Sequence, residues 1–187
     1  YYQHSGCALI MIFTIEAENR FDQIGALMYM RSALESGLLI TSESGVELIK
    51  YDDQRVFAYA NRPEEALSAA LQVMMICKEC DIRHPRAKFG VSVGIEFGSL
   101  LLLPGDYFGD PVNIASKLGE DIAGVGDLLI SSTVEKMIHD ISGYTDTAAG
   151  LVFKKQFTAI SGVDISYAKV SLQPDANTST MFSKFVI

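Results

Sequence analysis

The sequence predicts an α+β fold, in which a ferredoxin-like βαββαβ core is followed by a C-terminal αβ extension. Two observations carry this prediction. Short apolar runs and segments of helical period alternate in that order through the first half of the chain, and a helix-start motif opens the second half. The chain has 187 residues, of which 49% are hydrophobic, and this is enough for one well-formed core.

The first half of the sequence contains six predicted elements. Short apolar runs predict the four strands, and apolar residues at helical spacing predict the two helices. Gly37 is a typical stop for the first helix, and Pro63 begins the second at a position where its missing N–H is harmless. The predicted elements are a strand at 7–15, a helix at 21–34, hairpin strands at 46–50 and 56–60, a helix at 63–81 and a strand at 89–97.

The second half supplies the extension and a tail. Its predicted elements are a helix that begins near residue 110, a strand at 128–131, a helix at 134–141 and a hairpin at 152–170 with Gly162 near its turn. Residues 1–172 are predicted to form one domain. The tail at 173–187 shows little periodicity and is predicted to be an arm or disordered. Because the chain opens with Tyr1 and a strand follows almost at once, we expect a domain of a longer protein.

Composition excludes several classes of partner. The net charge of −8 argues against binding to nucleic acid or to an anionic membrane surface, and the longest apolar runs are too short to span a bilayer. Three cysteines do not form a disulfide framework, so a cytoplasmic location is expected, within a protein that could be membrane-attached or cytoskeletal. Cys77 and Cys80 have C-x-x-C spacing, which we interpret as an ordinary helix with one or both thiols packed.

The stretch 106–118 combines a helix start with polar side chains suited to a nucleotide. Asp110 is predicted as the N-cap, and Pro111 occupies the first helical position. Asn113 and Lys117 are four residues apart and therefore share one face of this helix. An amide and a cation held side by side on a rigid element suit contact with a ribose or a phosphate.

This stretch resembles the signature helix of the class III nucleotidyl cyclases, where an acid, a Gly-Asp/Asn-x-Val-Asn run and a later basic residue recur. The agreement extends to the preceding strand at 91–98 and the following segments at 119–123 and 126–131, and it covers residues 7–170. The resemblance implies the class III cyclase fold and an active site between two cyclase domains. It also implies attack of the ribose 3′-oxygen on the α-phosphorus, with loss of pyrophosphate.

The resemblance assigns the nucleotide-binding half of such a site to this chain. Lys50 and Asp106 match the base-reading pair of adenylyl cyclases, in which the lysine donates to adenine N1 and the carboxylate accepts from the exocyclic amine. Asn113 matches the motif asparagine for ribose and phosphate. Lys117 stands where the family usually has arginine, so the charge is kept and the bidentate fork is lost. Ser161 stands where some members have a phosphate-binding lysine.

The metal-binding half of the site is predicted to be absent. The two positions where the family has metal-binding aspartates hold Ile15 and Gln54, and neither side chain replaces a carboxylate ligand. Glu16 and Asp53 are each one residue out of register and would point to the opposite face. Asp52 keeps the parity but lies about 7 Å further along the strand. Mg²⁺ or Mn²⁺ is therefore expected only through a partner half.

Three functional hypotheses follow from this pattern. The leading one is the ATP-binding half of a dimeric adenylyl cyclase, similar to the second, C2-type half of heterodimeric enzymes. Its partners would be ATP and another cyclase domain, in a homodimer or heterodimer, and the chain would be inactive alone. The first alternative is a catalytically dead pseudocyclase that serves as a regulatory or scaffolding dimerisation module. The second is an active homodimeric adenylyl cyclase with displaced metal ligands.

Overall fold

One mixed sheet with helices on both faces forms the framework. The computed structural model describes residues 2–36, 45–52, 54–141, 150–160 and 163–173. The strands of these ranges are β1 (Tyr2–Ala17), β2 (Val46–Asp52), β3 (Arg55–Ala60), β4 (Ala87–Leu103), β5 (Asp106–Phe108), β6 (Leu128–Ser131), β7 (Leu151–Ile160) and β8 (Val163–Leu172). The helices are α1 (Arg20–Ser36), α2 (Pro63–Arg83), α3 (Asp110–Ser116), which continues into a π-helical segment (Lys117–Ile122), and α4 (Ser132–His139).

The strand order confirms the predicted core and its extension. The sheet runs β2-β3-β1-β4-β6-β8-β7, and β5 pairs with β4 outside this path. The first four strands, with α1 and α2 as connections, form the ferredoxin-like βαββαβ unit. β6 joins β4 in parallel, and β8 and β7 follow in antiparallel pairing.

The alternation of side chains along β1 divides the interior into two cores. Successive residues of a strand point to opposite faces. Leu9 and Phe13 belong to the larger cluster, which also contains buried residues of α1, α2 and α4. Ala8 and Ile10 face the other way, into a cluster that includes Ala115 of α3. The predicted nucleotide residues of α3 therefore lie over the face of the sheet opposite to α1 and α2.

The strands differ in length from the predictions because pairing extends them. β1 and β4 pair continuously from Tyr2↔Leu102 to Ala17↔Ala87. Hydrogen bonds between the two strands therefore extend them beyond the apolar runs from which they were predicted. β5 was not predicted, because a three-residue strand leaves no periodic signal. The predicted helix stop at Gly37, the turn at Gly162 and the tail from residue 174 lie outside the described residues.

The start of α3 corrects two linked predictions. Gly109, and not Asp110, is the N-cap, so Asp110 is the first helical residue and Pro111 is the second. Gly109 has φ of 140°, in a region that glycine adopts without strain. Its carbonyl accepts hydrogen bonds from the amides of Val112 (3.1 Å) and Asn113 (3.4 Å). The turn after β5 therefore needs glycine at the cap, and the aspartate moves into the first turn, where it favours the helix dipole.

α3 and the π-helical segment lie directly on the sheet because β4 has glycine beneath them. A Cβ added to Gly94 would lie 2.1 Å from the Ala115 carbonyl oxygen and 2.5 Å from the Gly119 nitrogen. These are backbone atoms, which cannot move aside as a flexible side chain does. This close contact fixes the position of the helical unit that carries Asn113 and Lys117.

A buried carboxyl group joins β4 to β6 and α4. Glu96 is 6% exposed. Its Oε1 accepts hydrogen bonds from the Ser131 hydroxyl (2.7 Å) and the Phe97 amide (2.8 Å). The Ser131 oxygen in turn accepts from the Val134 amide and so caps α4. Burial raises the pKa of Glu96, and the hydrogen bonds from Ser131 and Phe97 oppose that rise.

Glu96→Gln is expected to stabilise the fold near neutral pH, by on the order of 1 kcal/mol. The amide keeps the oxygen that Ser131 and Phe97 contact and carries no charge. Because the pKa of Glu96 is raised on folding, the stability linked to its protonation is complete below its unfolded pKa and is lost as pH rises through its folded pKa. The gain in Tm should therefore grow from pH 4 to pH 7. Exposed Glu47→Gln is the matched control, and an equal gain in both variants would contradict the prediction.

Candidate functional site

The structure brings the two predicted base-reading residues together. The Nζ atom of Lys50 on β2 lies 2.8 Å from Oδ1 of Asp106 on β5, and the two side chains are 33% and 34% exposed. The Tyr107 amide also donates to Oδ1, at 2.8 Å. The hydrogen bond from Lys50 holds the pKa of Asp106 below its usual value. The site therefore presents an ionised acceptor beside a cationic donor, and both are accessible to a ligand.

Aromatic side chains pack beneath the Lys50–Asp106 pair. Lys50 Nζ lies 4.7 Å from the centre of the Phe57 ring, a distance at which a cation is attracted to the ring face. Phe57 meets Tyr107 edge-on, with ring centres 6.3 Å apart. The Tyr107 hydroxyl donates to the Leu9 carbonyl of β1 at 3.2 Å. These contacts join the hairpin strand, β5 and the central strand, so the lysine stands on a packed surface.

Asn113 and Lys117 lie on the helical unit that follows β5. The Lys117 amide donates to the Asn113 carbonyl, so α-helical spacing holds between these residues and they share one side of the helix. Asn113 is exposed and Lys117 is half-buried. Ala115 and Leu118 are fully buried beneath them. The predicted ribose and phosphate residues are therefore held on the outer side of a helix whose inner side is fixed to the sheet.

The side chains at the two expected metal positions do not fit a divalent ion. The Phe13 amide donates to the Gln54 carbonyl at 2.8 Å, which places Gln54 beside Phe13 of β1, two residues before Ile15. Ile15 is 6% exposed and belongs to the core beneath α1 and α2. An aliphatic side chain and a neutral amide do not make the carboxylate-rich oxygen site that Mg²⁺ or Mn²⁺ requires.

The two predicted stand-in ligands that the structure describes, Glu16 and Asp52, do not repair this half of the site. Asp52 is exposed and forms an ion pair with Arg55. Glu16 is exposed and lies opposite Lys88 in the β1–β4 ladder. Asp53 lies outside the described residues. Across the part of the chain that the structure describes, no three His, Cys, Asp or Glu side chains gather as a metal-binding group.

Sequence reasoning missed two charged residues beside this region. Arg55, at the start of β3, pairs with Asp52 and lies 3.6 Å from Glu120 Oε2 in the π-helical segment. Its guanidinium carbon is 5.9 Å from the centre of the Phe57 ring. Arg55 directly follows Gln54, one of the two expected metal positions. Its charge at that place in the sequence could have identified it as a candidate site residue. Nothing in the sequence connects Glu120 to it.

Two other predictions concern residues away from this site. Cys77 and Cys80 are free thiols, 4% and 2% exposed, and burial raises the pKa of Cys77 to about 12. They are packed helix residues, as predicted.

Among the helices of the described residues, none has the length and apolar character needed to cross a bilayer.

Comparison with curated proteins gives a partial match. No protein-family model matches the chain. The chain is similar to the uncharacterized protein Rv2212 of Mycobacterium tuberculosis, with 30% identity over 104 residues, and the match covers 54% of this chain. The match covers 25% of the length of Rv2212. The chain therefore spans about a quarter of the length of the curated relatives that it matches.

Solved cyclase structures match nearly the whole chain. An adenylate/guanylate cyclase/hydrolase from Silicibacter pomeroyi has a TM-score of 0.67 at 20% identity, with 94% of this chain and 100% of that chain covered. The guanylate cyclase domain of RhGC from Catenaria anguillulae, solved in complex with GTP, has a TM-score of 0.69 at 14% identity, with 92% and 100% covered. The chain therefore has the fold of the class III adenylate/guanylate cyclase catalytic domains.

Proposed function

We propose that this domain is the ATP-binding half of a dimeric adenylyl cyclase. The observation that carries the proposal is the Lys50–Asp106 pair, which meets at 2.8 Å from two separate strands. Lys50 and Asp106 would read the purine. Asn113 and Lys117, on the adjoining helix, would contact the ribose and the phosphates.

The chemistry of the pair favours adenine over guanine. Adenine presents an acceptor at N1, which suits the Lys50 ammonium, and an amine at C6, which suits the Asp106 carboxylate. Guanine presents an N–H donor at N1 and a carbonyl oxygen at C6, so both contacts would be mismatched. A carboxylate that stays ionised because Lys50 donates to it can only accept a hydrogen bond.

The complementary half of the reaction would come from a second cyclase domain. Because Ile15 and Gln54 do not fit a divalent ion, we assign Mg²⁺ or Mn²⁺ to the partner. This chain would bind and orient the nucleotide, and a pure preparation of it would hold no complete site. The cytoplasmic location expected from the cysteine content remains a prediction.

Lys50→Ala and Asp106→Asn are each expected to weaken binding of a fluorescent ATP analogue by about tenfold or more, because each removes a charge-assisted hydrogen bond. Titration of the pure chain without metal measures this. Lys78→Ala, which removes an exposed lysine of α2, is the matched control. Equal affinity in all four proteins, or preference for a GTP analogue, would contradict the assignment of the pair.

A scaffolding role is the second candidate, and the metal half of the domain favours it. Ile15 is buried in the core, and the Asp52 carboxylate is bound by Arg55. A scaffold would dimerise with a cyclase domain but bind no nucleotide, so the same titration separates the two candidates. An active homodimer with displaced ligands gains no support from Asp52, because its carboxylate already has a cationic partner.

A further inference from the structure

The β2–β3 hairpin is attached to the α3 unit at two separate points. At the first point, Lys50 pairs with Asp106, which precedes α3. At the second point, Arg55 pairs with Asp52 on the hairpin and lies 3.6 Å from Glu120, which follows α3 in the π-helical segment. We refer to Asp52, Arg55 and Glu120 as the arginine bridge. The two attachments hold the hairpin against both ends of one continuous helical unit.

The residues assigned to the nucleotide lie between these attachments. Asn113 and Lys117 belong to the helical stretch between Asp106 and Glu120. Lys50 and Arg55 both lie against the Phe57 ring, at 4.7 Å and 5.9 Å from its centre. A shift of Arg55 would therefore change the surface on which Lys50 rests, and would also change the gap between the hairpin and the helix.

The arginine bridge suits a side chain with a planar fork. A guanidinium presents donors in several directions and reaches two carboxylates from different elements, which a single ammonium does less well. The Arg55 and Glu120 side chains are 40% and 31% exposed. Partly exposed ion pairs contribute little to global stability and are screened by salt. The bridge is therefore suited to setting a local spacing, and its loss should leave the fold intact.

We propose that Arg55 is a positioning residue for the nucleotide. Through the arginine bridge it fixes the distance between the hairpin and the π-helical segment, and so the place where Lys50 meets the purine. The inference rests on the proposed function, and it adds a residue next to the lost metal positions that organises the nucleotide half without a metal ion.

Hydrogen exchange and nucleotide titration together test this proposal. Arg55→Ala and Glu120→Gln are expected to raise amide exchange at residues 46–52 by about tenfold, as expected for a local opening. They should weaken binding of the fluorescent ATP analogue by about threefold to tenfold, with Tm unchanged. Arg55→Lys should recover part of the affinity. Arg83→Ala is the matched control, because Arg83 is also a partly exposed arginine that pairs with a carboxylate, Glu79, but near the end of α2.

The outcomes separate this inference from the proposed function. Unchanged exchange in Arg55→Ala, or an equal rise in Arg83→Ala, would overturn the inference. So would faster exchange with wild-type affinity, or no recovery in Arg55→Lys. A wild-type chain that binds the analogue through Lys50 while Arg55→Ala binds equally well would overturn the inference alone. A wild-type chain that binds no nucleotide would overturn both.

Discussion

The pure chain, concentrated and supplied with Mn²⁺ and ATP, is expected to produce no cyclic nucleotide above the level of buffer. The two positions that would hold the metal ions carry Ile15, which is 6% exposed, and Gln54. Without metal ions the chain has nothing to activate the 3′-oxygen or to neutralise the phosphates. Chromatographic detection of cyclic AMP after long incubation is the measurement.

Addition of a metal-bearing cyclase domain should turn this negative result into activity. The mixed preparation is expected to make cyclic AMP, and Asp106→Ala in this chain should remove that output because it deletes the acceptor that we propose for the adenine amine. Glu47→Ala, which replaces an exposed residue of β2, is the matched control and should leave the cyclic AMP output of the mixture unchanged. Cyclic AMP from the pure chain would mean that a displaced carboxylate, such as Asp53, binds metal. Activity of the mixture that does not respond to Asp106→Ala would contradict the assignment of this half of the site.

The sequence was sufficient for the elements whose signal is local. β1 is readable because Cys7 to Met11 are apolar without interruption and are all fully buried, as a strand covered on both faces should be. α2 begins at Pro63, as predicted, because proline suits the first helical turn. The cap of α3 was assigned one residue late, since a good capping side chain at Asp110 is visible in the sequence and the φ of Gly109 is not.

The same distinction applies to the candidate site: some of its contacts could be predicted from the sequence, and others could not. Lys50 and Asp106 could be paired before the structure was known, because the resemblance to the class III cyclases implies that both residues contact the same base. Two other contacts, Arg55 with Glu120 and Glu96 with Ser131, join residues that no motif connects. These contacts depend on which strands are neighbours in the sheet and on how α3 packs against it. Both are determined by the whole fold.

Ile15→Asp is expected to destabilise the domain by about 3 to 5 kcal/mol, the cost typical of an unpaired charge in an apolar interior. Ile15 shares the cluster beneath α1 and α2 with Phe13 and Phe89. An aspartate there would lie among the apolar side chains of this cluster. Chemical denaturation measures the loss, and Gln54→Asp is the matched control, because Gln54 is only half-buried and its replacement should change stability by less than about 1 kcal/mol.

The double variant Ile15→Asp, Gln54→Asp tests whether the metal half can be restored by its ligands alone. We expect it to be as unstable as Ile15→Asp and to bind no Mn²⁺, as measured by electron paramagnetic resonance of the free ion. The surrounding core has adapted to an apolar residue at position 15, so two carboxylates cannot recreate a cation site without repacking around them. Wild-type stability together with Mn²⁺ binding would show instead that the site lacks only its ligands, and that the structure around them still fits a metal.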